Sequence, residues 1–294
     1  MTGNGNNPEV KIATPPVKRI RASGPILILA ILFVVASFLT WYLTWFGRGL
    51  SDAEITKYLS DYGHPRHVQH ALLQVQERIE RRDPAATQWY PQIVALTDNP
   101  ETEFRLTAAW LMGSDNKSEE FHTALKKLLL DREPIVRRNA ALALVRFNDT
   151  SGRAELTAML TPFTVNAPVG GTLESNLSKA ASVSRGTLLA RIREPNGEIA
   201  AMRSPLSGSI DNIIAATGSP VIIGQAILTI KSDEQSIWEA LRALAVVGTP
   251  GDLQLIGSYA SGAATSSDRL KQQATLTANA IKSRMNVNDK NLKQ

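Results

Sequence analysis

The chain has 294 residues, 43% of them hydrophobic and 20% charged, with four histidines and no cysteine. Such a composition excludes extensive disorder, collagen-like repeats and disulfide-stapled miniproteins, and the missing thiols exclude thiolate metal sites and thiol catalysis. A formal net charge of +5 raises nucleic acid as a partner, so the location of that charge matters.

Lys11, Lys18, Arg19 and Arg21 stand against Glu9 alone in residues 1–25, a net +3 that leaves only +2 for the rest of the chain. The basic balance therefore marks one end, and nucleic acid is set aside as a partner. Residues 1–24, rich in Gly, Asn and Pro, are expected to be a disordered cytoplasmic tail. Residues 26–46 read ILILAILFVVASFLTWYLTWF, 21 residues without a charge. A helix rising about 1.5 Å per residue would cover roughly 30 Å over that length, the thickness of a hydrocarbon core. The run is too long for a signal peptide and ends in bulky aromatics instead of a small-residue cleavage site. The expectation is a transmembrane helix over 25–47, with Trp41, Tyr42, Trp45 and Arg48 as membrane-interface anchors. More positive charge precedes the span than follows it. That bias predicts a single-pass protein of the bacterial inner (plasma) membrane, its amino terminus cytoplasmic and the remainder periplasmic.

Residues 50–161 show helical periodicity broken by short polar turns. Segment 98–113 aligns with 131–147 at an offset of 32: Phe104-Arg105 with Val136-Arg137, and Ala108-Ala109 with Ala140-Ala141. Each opens on an Asp–Pro turn, where proline suits the first helical turn. Three further helices are expected over 234–286, the first two separated by a turn at 248–252 and the last over 268–284, followed by a disordered tail at 287–294. Asp131, Pro134, Val136, Arg137, Ala140, Ala141 and Leu144 follow the pattern of a HEAT-repeat first helix, and the array resembles HEAT repeats. The resemblance implies a stacked helical array with an extended binding surface.

Residues 162–233 change character to short β-branched runs separated by glycine and proline turns. Here the repeat lies at 37–38. Pro168, Gly171, Leu173, Val183, Gly186, Leu189 and Ile192 correspond to Pro205, Gly208, Ile210, Val221, Gly224, Ile227 and Ile230. The expectation is two similar β-hairpin units about a pseudo-twofold axis. The motif resembles the biotinyl/lipoyl domain and the matching half-motif of membrane fusion proteins. This implies a flattened barrel-sandwich hybrid whose exposed hairpin tip, in a carrier, bears the modified lysine. The tip falls near Asn196 and Gly197, and no lysine occurs from 188 to 224. No biotin, lipoate or other cofactor is therefore expected, and the long hairpin of membrane fusion proteins is missing.

Other chemistry is sparse. His64, His67 and His70 stand at i, i+3, i+6, but Pro65 places a helix start just after His64. Only His67 and His70 are then expected on one face, with Asp61 as the nearest acid, and no metal site is assigned. Glu119-Glu120 suit a helix start beside Ser118. Trp89 and Tyr90 read as packing residues, and Arg137 and Arg138 as surface or inter-repeat ion pairs. No catalytic residue is assigned and no enzyme is expected. The fold class expected is α+β multidomain: a transmembrane helix, then a HEAT-like array interrupted by a small all-β lipoyl-like unit. The function expected is a membrane-anchored, non-catalytic scaffold or adaptor on the periplasmic side, binding protein partners of a membrane or envelope complex and the bilayer through one helix. The alternative is an accessory subunit of a transport or secretion system.

Overall fold

The computed structural model describes residues 24–45 and 48–291, with side chains over 24–40, 42 and 48–286. The expected tail up to residue 23 and the whole of Phe46 lie outside the described residues. The chain divides into two compact units, one ending at Gly49 and the other starting at Leu50.

In the first unit, α1 (Gly24–Trp45) is a helix whose described apolar side chains are exposed, Phe33 at 74%. The expected membrane span does not hold: among the described residues no helix is long and apolar enough to cross a membrane. The single-pass, inner-membrane and periplasmic placement goes with it. The side chains of Trp41 and Trp45 lie outside the described residues. Tyr42 stacks on Phe38 at 6.2 Å between centroids, and Arg48 is exposed.

The second unit is α+β. Its helices are α2 (Asp52–Leu59), α3 (Pro65–Glu80), α4 (Tyr90–Ala95), α5 (Thr102–Met112), α6 (Glu119–Leu128), α7 (Pro134–Val145), α8 (Arg153–Ala158), α9 (Glu234–Val247), α10 (Leu253–Ala260) and α11 (Asp268–Asn291). Local chemistry sets their starts. Ser51 and Glu54 form a reciprocal capping box on α2, while Ser118 and Asp233 accept from backbone N–H groups at the starts of α6 and α9. Pro65 and Pro134 occupy first helical positions, where no N–H is needed.

The helices α3, α5, α7, α9 and α11 pack on one another in succession. Buried alanines let them approach closely: Ala108 and Ala109 on α5, Ala140 and Ala141 on α7, Ala240 on α9 and Ala274 on α11. The succession from α7 to α9 skips the whole β region, and one hydrophobic core runs from Ala141 through Leu156 and Leu160 to Ile237, Leu244 and Ile281. Helix α11 continues to Asn291, through most of the segment read as a tail.

Side chains tie the helical pairs together. Arg105 on α5 grips Asp131 with two hydrogen bonds (2.7 and 3.1 Å), both side chains almost fully buried, and its Nη1 also donates to the carbonyls of Asn99 and Pro100. That hydrogen bonding holds the Asp131 carboxyl below its usual range, against the larger opposing effect of burial on each cause taken singly. Arg137, 32 residues on, repeats the arrangement with Glu155 (3.1 Å) and the carbonyls of Asp131 and Arg132.

Eight strands fill the gap between α8 and α9: β1 (Phe163–Asn166), β2 (Gly171–Glu174), β3 (Ser182–Val183), β4 (Leu188–Arg193), β5 (Ile199–Arg203), β6 (Gly208–Ile213), β7 (Pro220–Val221) and β8 (Ala226–Ser232). They form two four-stranded sheets, ordered β1-β8-β6-β3 and β5-β4-β2-β7, with antiparallel pairs throughout. Exchanging β1 with β5, β2 with β6, β3 with β7 and β4 with β8 turns one order into the other. The symmetry reaches single bonds. Gly186 N–H donates to Ser204 O (2.7 Å) as Gly224 N–H does to Ala167 O (2.8 Å). A Cβ on Gly171 would sit 2.3 Å from Arg193 O, and one on Gly208 would sit 2.0 Å from Lys231 O. Strands β1 and β8 are paired, Phe163 opposite Ile230, so the chain enters and leaves side by side. That closure lets the helical succession resume at α9.

Candidate docking site

On α7, consecutive arginines part company. Arg137 turns to Glu155, as above. Arg138, about 100° further round the helix, is only 3% exposed and points to the β unit. Its Nη1 donates to Ser232 Oγ (3.3 Å), 94 residues away. Its Nε lies 3.8 Å from Glu155 Oε1, beyond hydrogen-bond reach, and has no hydrogen-bond partner. Burial presses this guanidinium below its usual pKa, and Glu155 and Asp233 act against that. Arg138 thus keeps an ion pair with Glu155, but it is buried instead of lying at the surface, and its Nε makes no hydrogen bond.

Arg138 borders a cavity of about 370 Å³ between α5, α7, the start of α9 and the β unit, lined also by Leu106, Asn139, Ser207 and Ser236. A second cleft of about 350 Å³ adjoins it toward Arg242 and Val246. Trp110 and Asn139 line both, and Trp110 is 54% exposed. The β unit reaches the cavity through the turn after β3. There Arg185 pairs with Glu103 of α5, and its N–H donates to Ser207 Oγ (3.2 Å). The symmetry-related turn carries Ile222 and Ile223, exposed at 71% and 72%. The arrangement supplies a cation, hydroxyls, an amide and an indole face, which suits recognition of an extended segment.

The hairpin tip holds no such chemistry. Gly197 N–H donates to Glu194 O (2.9 Å), Gly197 has φ +88°, and Glu194 N–H donates to Glu198 O (2.9 Å). This is a three-residue loop, a type I turn closed by a left-handed glycine. Asn196 and Gly197 are exposed at its apex.

The histidines fall differently from expectation. His64 and His67, not His67 and His70, come together, and Asp61 joins them. His64 Nδ1 lies 2.8 Å from Asp61 Oδ1, and His67 Nδ1 lies 2.7 Å from Asp61 Oδ2. These bonds hold the Asp61 carboxyl below its usual range, His64 contributing most. His70 stays apart, its Nε2 buried without a hydrogen-bond partner. His122 instead bonds Asp149 Oδ2 (2.6 Å) and stacks on Phe147. Trp89 is fully buried and donates to Thr56 Oγ1 (3.0 Å), while Tyr90 packs on Phe121 and donates to Asp115 (2.7 Å). Glu119 and Glu120 are exposed in the first turn of α6.

No protein-family model and no curated protein matches this chain. Among solved structures, one described as a single-chain, multi-domain long-chain acyl-CoA carboxylase is similar at 14% identity and a TM-score of 0.23. The likeness covers 34% of this chain and 9% of that one. At that TM-score it does not extend to a shared fold. The resemblances to HEAT repeats, biotinyl/lipoyl domains and membrane fusion proteins gain no support from these comparisons.

Proposed function

We propose that this chain is a non-catalytic scaffold that binds a protein partner in the paired clefts around Trp110. The observation that carries the reading is Trp110 itself, more than half exposed between two cavities and close to the buried, incompletely bonded Arg138. Exposed aromatics and arginines dominate binding energy at protein interfaces. The partner segment places an acidic side chain toward Arg138 and an apolar one on the indole. Stacked helices supply the long surface, and the β unit closes one wall of the first cleft.

The test is affinity co-purification with the full chain, followed by titration of the captured partner. Trp110→Ala should weaken binding about thirtyfold, equivalent to about 2 kcal/mol. Replacing 163–232 by a short linker removes one wall and should weaken it too, with the helical fold checked by circular dichroism. Unchanged affinity in both variants, or turnover of a small molecule with no partner bound, would overturn the reading.

A further inference from the structure

The loop between α2 and α3 gathers three metal-ligating groups that the scaffold reading leaves unused. Asp61, His64 and His67 each offer one ligand atom, and all three atoms lie within 4.8 Å of one another. Asp61 turns one carboxylate oxygen to each imidazole, and both imidazoles present Nδ1.

The backbone fixes the cluster. Asp61 N–H donates to Tyr58 O (3.1 Å), His64 N–H to Asp61 O (2.9 Å) and His67 N–H to His64 O (2.8 Å). Pro65 starts α3 between the two histidines. Tyr58 stacks on the His67 ring at 4.3 Å and 9°, which sets that ring's plane. His64 stands at the N-cap position of α3 yet makes no side-chain cap bond. Its ring is turned to Asp61 instead. The side chains of His64 and His67 are 69% and 42% exposed, so solvent has access to complete a coordination shell.

We propose that Asp61, His64 and His67 bind a divalent first-row cation, with Zn²⁺ as the representative ion. Two imidazoles and one carboxylate form a borderline N₂O donor set that suits zinc, and water supplies the fourth ligand. Tetrahedral bonds of about 2.1 Å place ligand atoms roughly 3.4 Å apart. Asp61 ligates through one oxygen, so one of the 2.7 and 2.8 Å contacts opens by roughly 0.6–0.7 Å as the ion enters, while the other imidazole closes on that oxygen from within 4.8 Å, shifts within reach of exposed side chains. Without metal, each imidazole Nδ1–H donates to Asp61. On binding, Nδ1 coordinates through its lone pair and the proton resides on Nε2 of the neutral ring. The N-terminus of α3 repels the cation. The Asp61 carboxylate offsets that repulsion.

The inference stands apart from the docking site, and its test is separate. Isothermal titration of the full chain with ZnCl₂ at pH 7.5 should show one equivalent bound. Asp61→Asn, His64→Ala and His67→Ala should each weaken it at least about tenfold. His122→Ala, which removes the other His–Asp pair, should leave it unchanged. Co²⁺ added to the wild-type chain provides a readout that needs no variant: the visible bands of a tetrahedral site, lost on adding Zn²⁺. Binding that survives both His64→Ala and His67→Ala, or no one-to-one binding together with an octahedral Co²⁺ spectrum, would overturn the proposal.

Discussion

The two repeating regions of this chain hold their repeats together by different means. In the β unit the halves face each other, and the repeat is written in the backbone. Glycines at 171 and 208 admit carbonyls where a Cβ would clash, and paired turn bonds follow at an offset of 37–38. In the helical region each unit faces the next, and the repeat is written in side chains, with Arg105 on Asp131 and Arg137 on Glu155. A two-fold arrangement closes on itself, so its two copies answer to the same geometry. A stack is open, so each unit need only fit its neighbour. This explains why seven positions of the β repeat keep their order at a nearly fixed offset.

The largest effect expected is from Gly208→Ala or Gly171→Ala. Each added methyl meets a backbone carbonyl that belongs to a paired strand, and either change should cost about 3 kcal/mol, read by urea denaturation. Similar losses at both sites would sharpen the symmetry, whereas a harmless change at one would break it. In the stack, Asp131→Asn leaves Arg105 buried without its counter-charge and should also cost about 3 kcal/mol.

A smaller effect is expected from acid. Burial alone would raise the Asp149 carboxyl, but hydrogen bonds from Ser151 and His122, with Lys126 nearby, outweigh it and bring it to about 2. A depressed folded-state pKa adds stability above the unfolded value near 4 and loses it as pH falls toward 2. Thermal melts of the wild type should drop across that window, and Asp149→Asn should lower stability at pH 7 while flattening the drop. The smallest effect is a gain. Ala180 has φ +64° where its counterpart Gly218 has φ +83°, so Ala180→Gly should stabilise by about 0.5–1 kcal/mol. No gain would mean that the two turns are not equivalent in energy.

Legibility in the sequence followed the range of the interaction. Proline starts, capping serines and the β repeat are local or periodic, and each leaves a mark on the chain itself. The docking cleft leaves none. Arg138 follows Arg137 directly, and nothing nearby indicates that one turns to Glu155 while the other is buried against Ser232, 94 residues on. Trp110 looks like any apolar helix residue until the neighbours that fail to cover it are known. The histidines show the same limit. Helical spacing pairs His67 with His70, but the loop before α3 folds back and brings His64 and Asp61 to His67 instead.

Composition by itself determined that the chain folds, that thiol chemistry is absent and that its excess charge lies at the amino-terminal end. Periodicity by itself marked the change from helical to β spacing and the offset between equivalent strands, because close packing and tight turns constrain residue type at fixed intervals. Tertiary structure alone decided two things: β1 lies beside β8, and one arginine of a pair is buried. These depend on which distant surfaces meet, and burial is a property of the assembled fold that no short window of sequence contains.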